Sequence, residues 1–198
     1  MKYLSFDIEA TGLAENDYLI EFGMVPFCSE TGEIAHHLEK NWYVKCPSFE
    51  ELKPRLDKWV IDHNKELIDK AHNEGEELNQ FKILLETYLN DPEVTEYFQK
   101  TERNKIVLFG KSLNAIDLPF MNRDLGWNFM REHFHHQVLD LSSVVMSMCD
   151  MKLLPDSCQS GSGLMKHFKM GDVAHTALAD AVNTADLYLK VMKSAKKS

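Results

Sequence analysis

The chain has 198 residues, 44% of them hydrophobic and 27% charged, with a formal net charge of -9. That length suffices for one sizeable core and an inserted subdomain, the composition excludes a disordered chain, and the negative balance argues against gripping long duplex DNA along a basic face. The N-terminus shows no signal-peptide pattern and no apolar run reaches membrane-spanning length, so a cytoplasmic location is the default expectation.

Cys28, Cys46, Cys149 and Cys158 are widely spread without a Cys-x-x-Cys pair, which signals neither a disulfide framework nor a zinc finger. Reduced, mostly buried thiols are expected.

Tyr3 to Leu13 alternates with period two, placing Leu4, Phe6 and Ile8 on one face of a strand and Ser5, Asp7 and Glu9 on the other. Two carboxylates on one face at the end of an apolar strand raise each other's pKa unless a cation sits between them. A second strand is predicted over 18–27, and Ser29-Glu30-Thr31-Gly32 turns the chain into a third over about 33–45. His36 and His37 fall on opposite faces of that third strand and cannot share a metal.

From Pro47 to about Arg103 the texture is helical. Leu52, Leu56, Trp59, Val60 and His63 form one stripe, and Leu78, Phe81, Leu84, Leu85 and Tyr88 a second, which predicts a helical insert at about 47–103. Lys105 to Phe109 suits a central strand. It is followed by Gly110-Lys111-Ser112, but Lys105 stands where a phosphate-binding loop needs its first glycine, which excludes that motif. Asp117 then lies near a helix N-terminus, a position that favours an acid on dipole grounds alone.

His133, His135 and His136 cluster without Cys or acidic partners at zinc-ligand spacing and read as surface or packing residues. Asp140 or Ser142 is expected to cap a helix running to about Asp150, and the Ser- and Gly-rich residues 156–163 read as a loop. In the last helix Leu178, Val182, Ala185, Leu189 and Met192 form the expected apolar stripe, and the basic tail from Lys193 frays. Asp180 lies about 200° from Leu178 at roughly 100° per residue, off that stripe. His175 can converge with Asp180 only from the preceding loop or first turn, where a histidine suits a general base.

Three segments carry a resemblance: Phe6-Asp7-Ile8-Glu9-Ala10-Thr11-Gly12-Leu13, Gly110-Lys111-Ser112-Leu113-Asn114-Ala115-Ile116-Asp117, and His175-Thr176-Ala177-Leu178-Ala179-Asp180-Ala181. Together they resemble the exonuclease motifs of the DEDD superfamily across nearly the whole chain. His175 five residues before Asp180 places the resemblance in the histidine (DEDDh, DnaQ-like) branch, loosely nearest to oligoribonuclease and ribonuclease T. Leu113 and Ile116 depart from the Asn and the Phe or Tyr that many members of that branch carry there.

The resemblance implies an α/β, ribonuclease-H-like fold, a mixed five-stranded sheet flanked by helices, with the insert between the third and fourth strands of a single domain over 1–198. It also implies two Mg2+ or Mn2+ ions, typically ~3.5–4 Å apart, held by Asp7, Glu9, Asp117 and Asp180. Hard oxygen donors suit those ions. His175 would take a proton from the attacking water, while Ala10, Thr11 and Leu13 would receive the 3'-terminal nucleotide. The implied activity is 3'-5' hydrolysis of single-stranded or short nucleic acid, RNA or DNA, releasing nucleoside 5'-monophosphates. A proofreading-type DNA exonuclease and a non-catalytic nucleic-acid-binding module are the competing readings, and a homodimer is among the assemblies the resemblance allows.

Overall fold

The computed structural model describes residues 1–171 and 175–195. Asp172 and Val173 in the segment leading to His175, and the end of the basic tail, lie outside the described residues.

Strand β1 (Lys2–Ala10) is central: Tyr3 to Phe6 are buried and strands pair along both of its edges. On one side it pairs antiparallel with β2 (Leu19–Cys28), and β2 in turn carries β3 (Glu33–Ile34) and β4 (Lys40–Tyr43), both antiparallel to it. On its other side β1 pairs parallel with β5 (Leu108–Gly110), which pairs parallel with β6 (Leu139–Asp140). The mixed sheet expected from sequence is present, with six strands rather than five. The single third strand predicted over 33–45 is broken by a 3-10 turn at His36–Leu38, where Leu38 turns into the core. His36 and His37 sit in that turn, beside Glu39 and Glu93 respectively.

Between β4 and β5 lie the helices α1 (Phe49–Leu52), α2 (Lys58–His63), α3 (Lys65–Glu74), α4 (Leu78–Leu89) and α5 (Pro92–Phe98). The first predicted stripe is not one helix. Pro54 lies in a 3-10 turn at Lys53–Arg55, and Trp59, 62% exposed, stacks on His63 at 4.7 Å instead of entering the core. After β5 come α6 (Asp117–Asp124) and α7 (Trp127–His133), and after β6 come α8 (Leu141–Asp150), α9 (Gly161–His167) and α10 (Ala177–Ala195). Residues 156–163 are not a loop. A 3-10 turn at Asp156–Gln159 leads into α9, whose cap is Ser160, accepting from the Gly163 amide at 3.1 Å, and Cys158 and Leu164 are buried. Serine and glycine act here as capping residues rather than as a linker.

Leu4, Phe6 and Ile8 pack against Phe81, Leu85, Phe120 and Phe129 on one face of the sheet. Tyr3, Phe27 and Phe109 meet Tyr188 and Val191 of α10 on the other. The buried stripe of α10 runs through Ala177, Ala181, Thr184, Ala185, Tyr188 and Val191. The longer side chains at Leu178, Val182, Leu189 and Met192 are only half-buried, because small residues let the helix lie close on the sheet. Asp180 therefore flanks the buried face, one turn from Ala177 and Thr184, rather than pointing away from it.

Candidate active site

Alternation along β1 sends Ser5, Asp7 and Glu9 to the face that α10 covers, where Ser5 Oγ donates to the Ala181 carbonyl at 2.6 Å. The register pairs Asp7 with Gly23 and Glu9 with Glu21. A Cβ at Gly23 would lie 2.1 Å from the Leu178 amide nitrogen, so glycine alone admits the start of α10 this close. Glu21, fully buried, accepts from the Ala177 amide at 3.1 Å and from Asn41 Nδ2 at 2.8 Å. Thr176 Oγ1 accepts from the Ala179 amide at 3.3 Å. The first amides of α10 are thus met by a hydroxyl and by a carboxylate reaching from the sheet, a sign of charge that the helix dipole favours.

That docking holds Asp180, in the first turn, over the end of β1. Asp7, Glu9 and Asp180 each offer a carboxylate oxygen, and these atoms lie within 4.8 Å of one another. Asp117 arrives from the β5 side. Because β5 pairs with β1 only through Leu4 and Ser5, the Ile8 amide lies beyond the ladder, and Asp117 Oδ1 accepts from it at 3.2 Å. Asp140 steadies the loop before α6: its Oδ2 accepts from the Leu113 amide at 2.7 Å while Oδ1 caps α8 through Ser142 and Ser143.

Burial and mutual repulsion push these acids upward. Asp7 stands well above the usual carboxylate range, first by burial and then by the charges of Asp117, Glu9 and Asp180. Glu9 is raised to about 7 by burial together with Asp180, Glu21 and Asp117. Asp117 also reaches about 7, burial and Asp140 outweighing the amide bonds that favour its ionised form. Asp180 is raised by burial and Glu21 against the opposing influence of His175 and Lys111. All-oxygen donors crowded to mutual repulsion are what a hard divalent cation relieves, so the donor set fits such an ion.

His175 is exposed, in the bend just ahead of α10, close enough for its charge to act on Asp180. Leu13 is 75% exposed and lines a cavity of about 250 Å³ with Ile116, Phe120 and Arg123. Ala10 is half-buried at the strand end. Thr11 differs: it is buried, its hydroxyl donating to Asp17 Oδ1 at 3.1 Å and accepting from the Tyr18 amide at 2.9 Å, so its side chain shapes the turn. Sequence reasoning missed Glu21, Gly23 and Lys111, and it read Asp140 as the cap that it is without foreseeing its bond to the Leu113 amide. Lys111 had drawn notice only in a phosphate-loop motif that fails, yet its ammonium opposes the carboxylate repulsion at both Asp7 and Asp180.

The mixed sheet flanked by helices matches the ribonuclease-H-like exonuclease fold. The family model described as Exonuclease (RNase_T) matches residues 4–188, and the chain belongs to that family. The resemblance drawn from the three motifs is thereby borne out, and the family is one of nucleases that generally use divalent metal ions.

Among solved structures, cell-death related nuclease 4 (CRN-4) matches with a TM-score of 0.70 at 18% identity, over 97% of this chain and 64% of its own. This chain thus spans under two thirds of that nuclease. The nuclease domain of 3'hExo, a DEDDh family member bound to rAMP, matches with a TM-score of 0.66 at 14% identity, over 97% of this chain and 92% of its own. E. coli exonuclease I in complex with an oligonucleotide matches with a TM-score of 0.61 at 15% identity, over 97% and 40%. At such identities the likeness is one of fold. No curated protein sequence matches the chain. Dimerisation finds no support in these comparisons, and among the described residues no helix is long and apolar enough to cross a membrane.

Proposed function

We propose that this chain is a single-domain, divalent-metal-dependent 3'-5' exonuclease of the DEDDh type, with its helical insert at about 47–103. It acts in the cytoplasm on single-stranded or short nucleic acid, RNA or oligoribonucleotides foremost, and releases nucleoside 5'-monophosphates. The observation that carries the reading is the convergence of Asp7, Glu9 and Asp180 within 4.8 Å, with Asp117 bonded to the same strand and His175 ahead of the same helix.

Asp7, Glu9, Asp117 and Asp180 would hold Mg2+ or Mn2+, which when bound supplies positive charge to the scissile phosphate and the leaving oxygen. His175 accepts the proton of the attacking water at a ring nitrogen, free of the packing that fixes the acids. The terminal nucleoside enters the cavity beside Leu13, and the backbone at Ala10 and Thr11, at the end of β1, meets its sugar. An apolar contact such as Leu13 accepts every base, which suits a nuclease without sequence preference. Lys111 offers the phosphate a cation at the rim.

The test is digestion of end-labelled RNA and DNA oligomers of graded length with Mg2+ and with Mn2+. Stepwise loss of mononucleotides from a free 3'-hydroxyl, blocked by a 3'-phosphate, is expected. Internal fragments appearing first, or undiminished turnover in excess chelator, would overturn the reading, and faster DNA turnover would assign the substrate to DNA.

A further inference from the structure

A groove lies apart from the carboxylates, on the outer side of α6 and α7 against β5 and the sheet edge. It encloses about 500 Å³. Its floor is apolar, formed by Leu108, Leu118, Phe134 and Val138. Its walls carry Arg103, Lys105, Arg131, His135, His136 and Trp127. No acidic residue lines it, although the chain as a whole carries a net charge of -9. Among the described residues no carboxylate forms an ion pair with Arg103, Lys105 or Arg131.

The aromatic groups are also presented rather than packed away. Trp127 is 63% exposed, with the Arg131 guanidinium over its ring at 5.6 Å. The His135 and His136 rings lie 4.3 Å apart. Lys105 Nζ donates to the Arg131 carbonyl, which ties two of the cations to one wall. Cations interleaved with flat rings are the chemistry that binds a single-stranded polynucleotide: phosphates on the cations, bases on the rings.

The groove is joined to the active site by α6. Asp117 opens that helix, and Leu118 and Asn122, one turn apart on a single ridge, line the groove. Asn122 lies about 7.5 Å along the helix from Asp117, and Lys105 about 17 Å along the chain before the Gly110 end of β5. A strand whose 3' end occupies the active site can therefore continue along α6.

We infer that the groove walled by Arg103, Lys105, Arg131 and Trp127 is a second binding site, one that holds the upstream part of a single-stranded nucleic acid whose 3' end lies among the carboxylates. The inference rests on the exonuclease reading for the placement of that 3' end. It adds that long single strands bind more tightly than short ones.

The test uses the full chain carrying Asp7→Asn, so that bound oligomers persist, and measures affinity by fluorescence anisotropy for labelled oligonucleotides of about three and about 20 nucleotides. The longer oligomer should bind about tenfold or more tightly than the shorter, and Arg103→Glu with Arg131→Glu should collapse that ratio toward one. The salt dependence for the long oligomer should become shallower by about 0.7 in log–log slope for each phosphate that the variant no longer neutralises. Trp127→Ala should cost the long oligomer about tenfold, with Trp127→Phe recovering much of it. Circular dichroism melts of each variant separate loss of binding from loss of fold. Unchanged long-oligomer affinity in the folded charge variants would overturn the inference. So would polyglutamate competing as well as the oligonucleotide, which would mark a site for acidic peptides. Wild-type protein that shows the length-dependent binding but hydrolyses no oligomer with either metal would overturn the exonuclease reading and keep the groove.

Discussion

An exposed imidazole ahead of α10 can swing over the carboxylates without disturbing them, because Asp180 is held by Glu21, Thr176 and Ser5 through the helix and not by the histidine. His175→Ala should therefore lower turnover by about 10²–10⁴-fold while metal affinity, measured by titration calorimetry, stays close to wild type. Loss of metal affinity would make His175 a ligand. Asp7→Asn and Asp180→Asn should differ from the histidine variant in metal binding, removing the calorimetric signal along with turnover; either variant retaining metal binding would refute the shared site. Strand alternation alone put Asp7 and Glu9 on one face, whereas Asp117 and Asp180 were singled out only through the motif resemblance, since dipole position gave Asp117 a plain helix-start reading and apolar spacing turned Asp180 away from the buried face. Glu21 was not legible. Its partner is the Ala177 amide, 156 residues away along the chain, and nothing local to β2 announces a helix terminus waiting there.

At the scale of elements, α10 shows why apolar spacing alone misplaces a buried face. The long side chains at Leu178, Val182, Leu189 and Met192 made the stronger pattern, yet Ala177, Ala181 and Ala185 face the sheet, since the helix needs close approach more than bulk. The glycine that permits that approach stands on another element. Gly23→Ala should place a methyl against the Leu178 amide, shift the start of α10, and cost about 1–3 kcal/mol of stability, read from urea unfolding. Because the same shift displaces Asp180, metal affinity should fall with stability. A variant that unfolds at wild-type denaturant concentration with full turnover would show that the backbone there yields. The broken third strand has a parallel cause: Leu38 is buried by turning the chain, which a reading by two-residue alternation cannot anticipate.

For the whole molecule, crowding acids at one end of the sheet makes stability depend on pH in a direction opposite to ordinary surface ion pairs. Glu9, ordinarily at 4.5, and Asp117, ordinarily at 3.8, are both raised to about 7 in the folded chain. Between roughly pH 4 and pH 7 the folded state then binds protons that the unfolded chain has released, so these groups make the metal-free protein lose stability as pH rises through that window, with no further change above it. His133 works the other way: burial and Lys100 lower its pKa, and its contribution is lost as pH falls. Glu9→Gln isolates the carboxylate effect because it removes one of the repelling charges and leaves His133 in place. In chelator at pH 8 this variant should melt above the parent, by about 2–4 °C for each kcal/mol relieved, and near pH 5 the two should melt together. Added Mg2+ or Mn2+ should stabilise the parent far more at pH 8 than at pH 5, since protons compete for the same oxygens, and should stabilise the variant less. A Glu9→Gln protein that melts below the parent at pH 8 without metal would mean that the acids are not in mutual repulsion, and the case for a cation between them would fall with it.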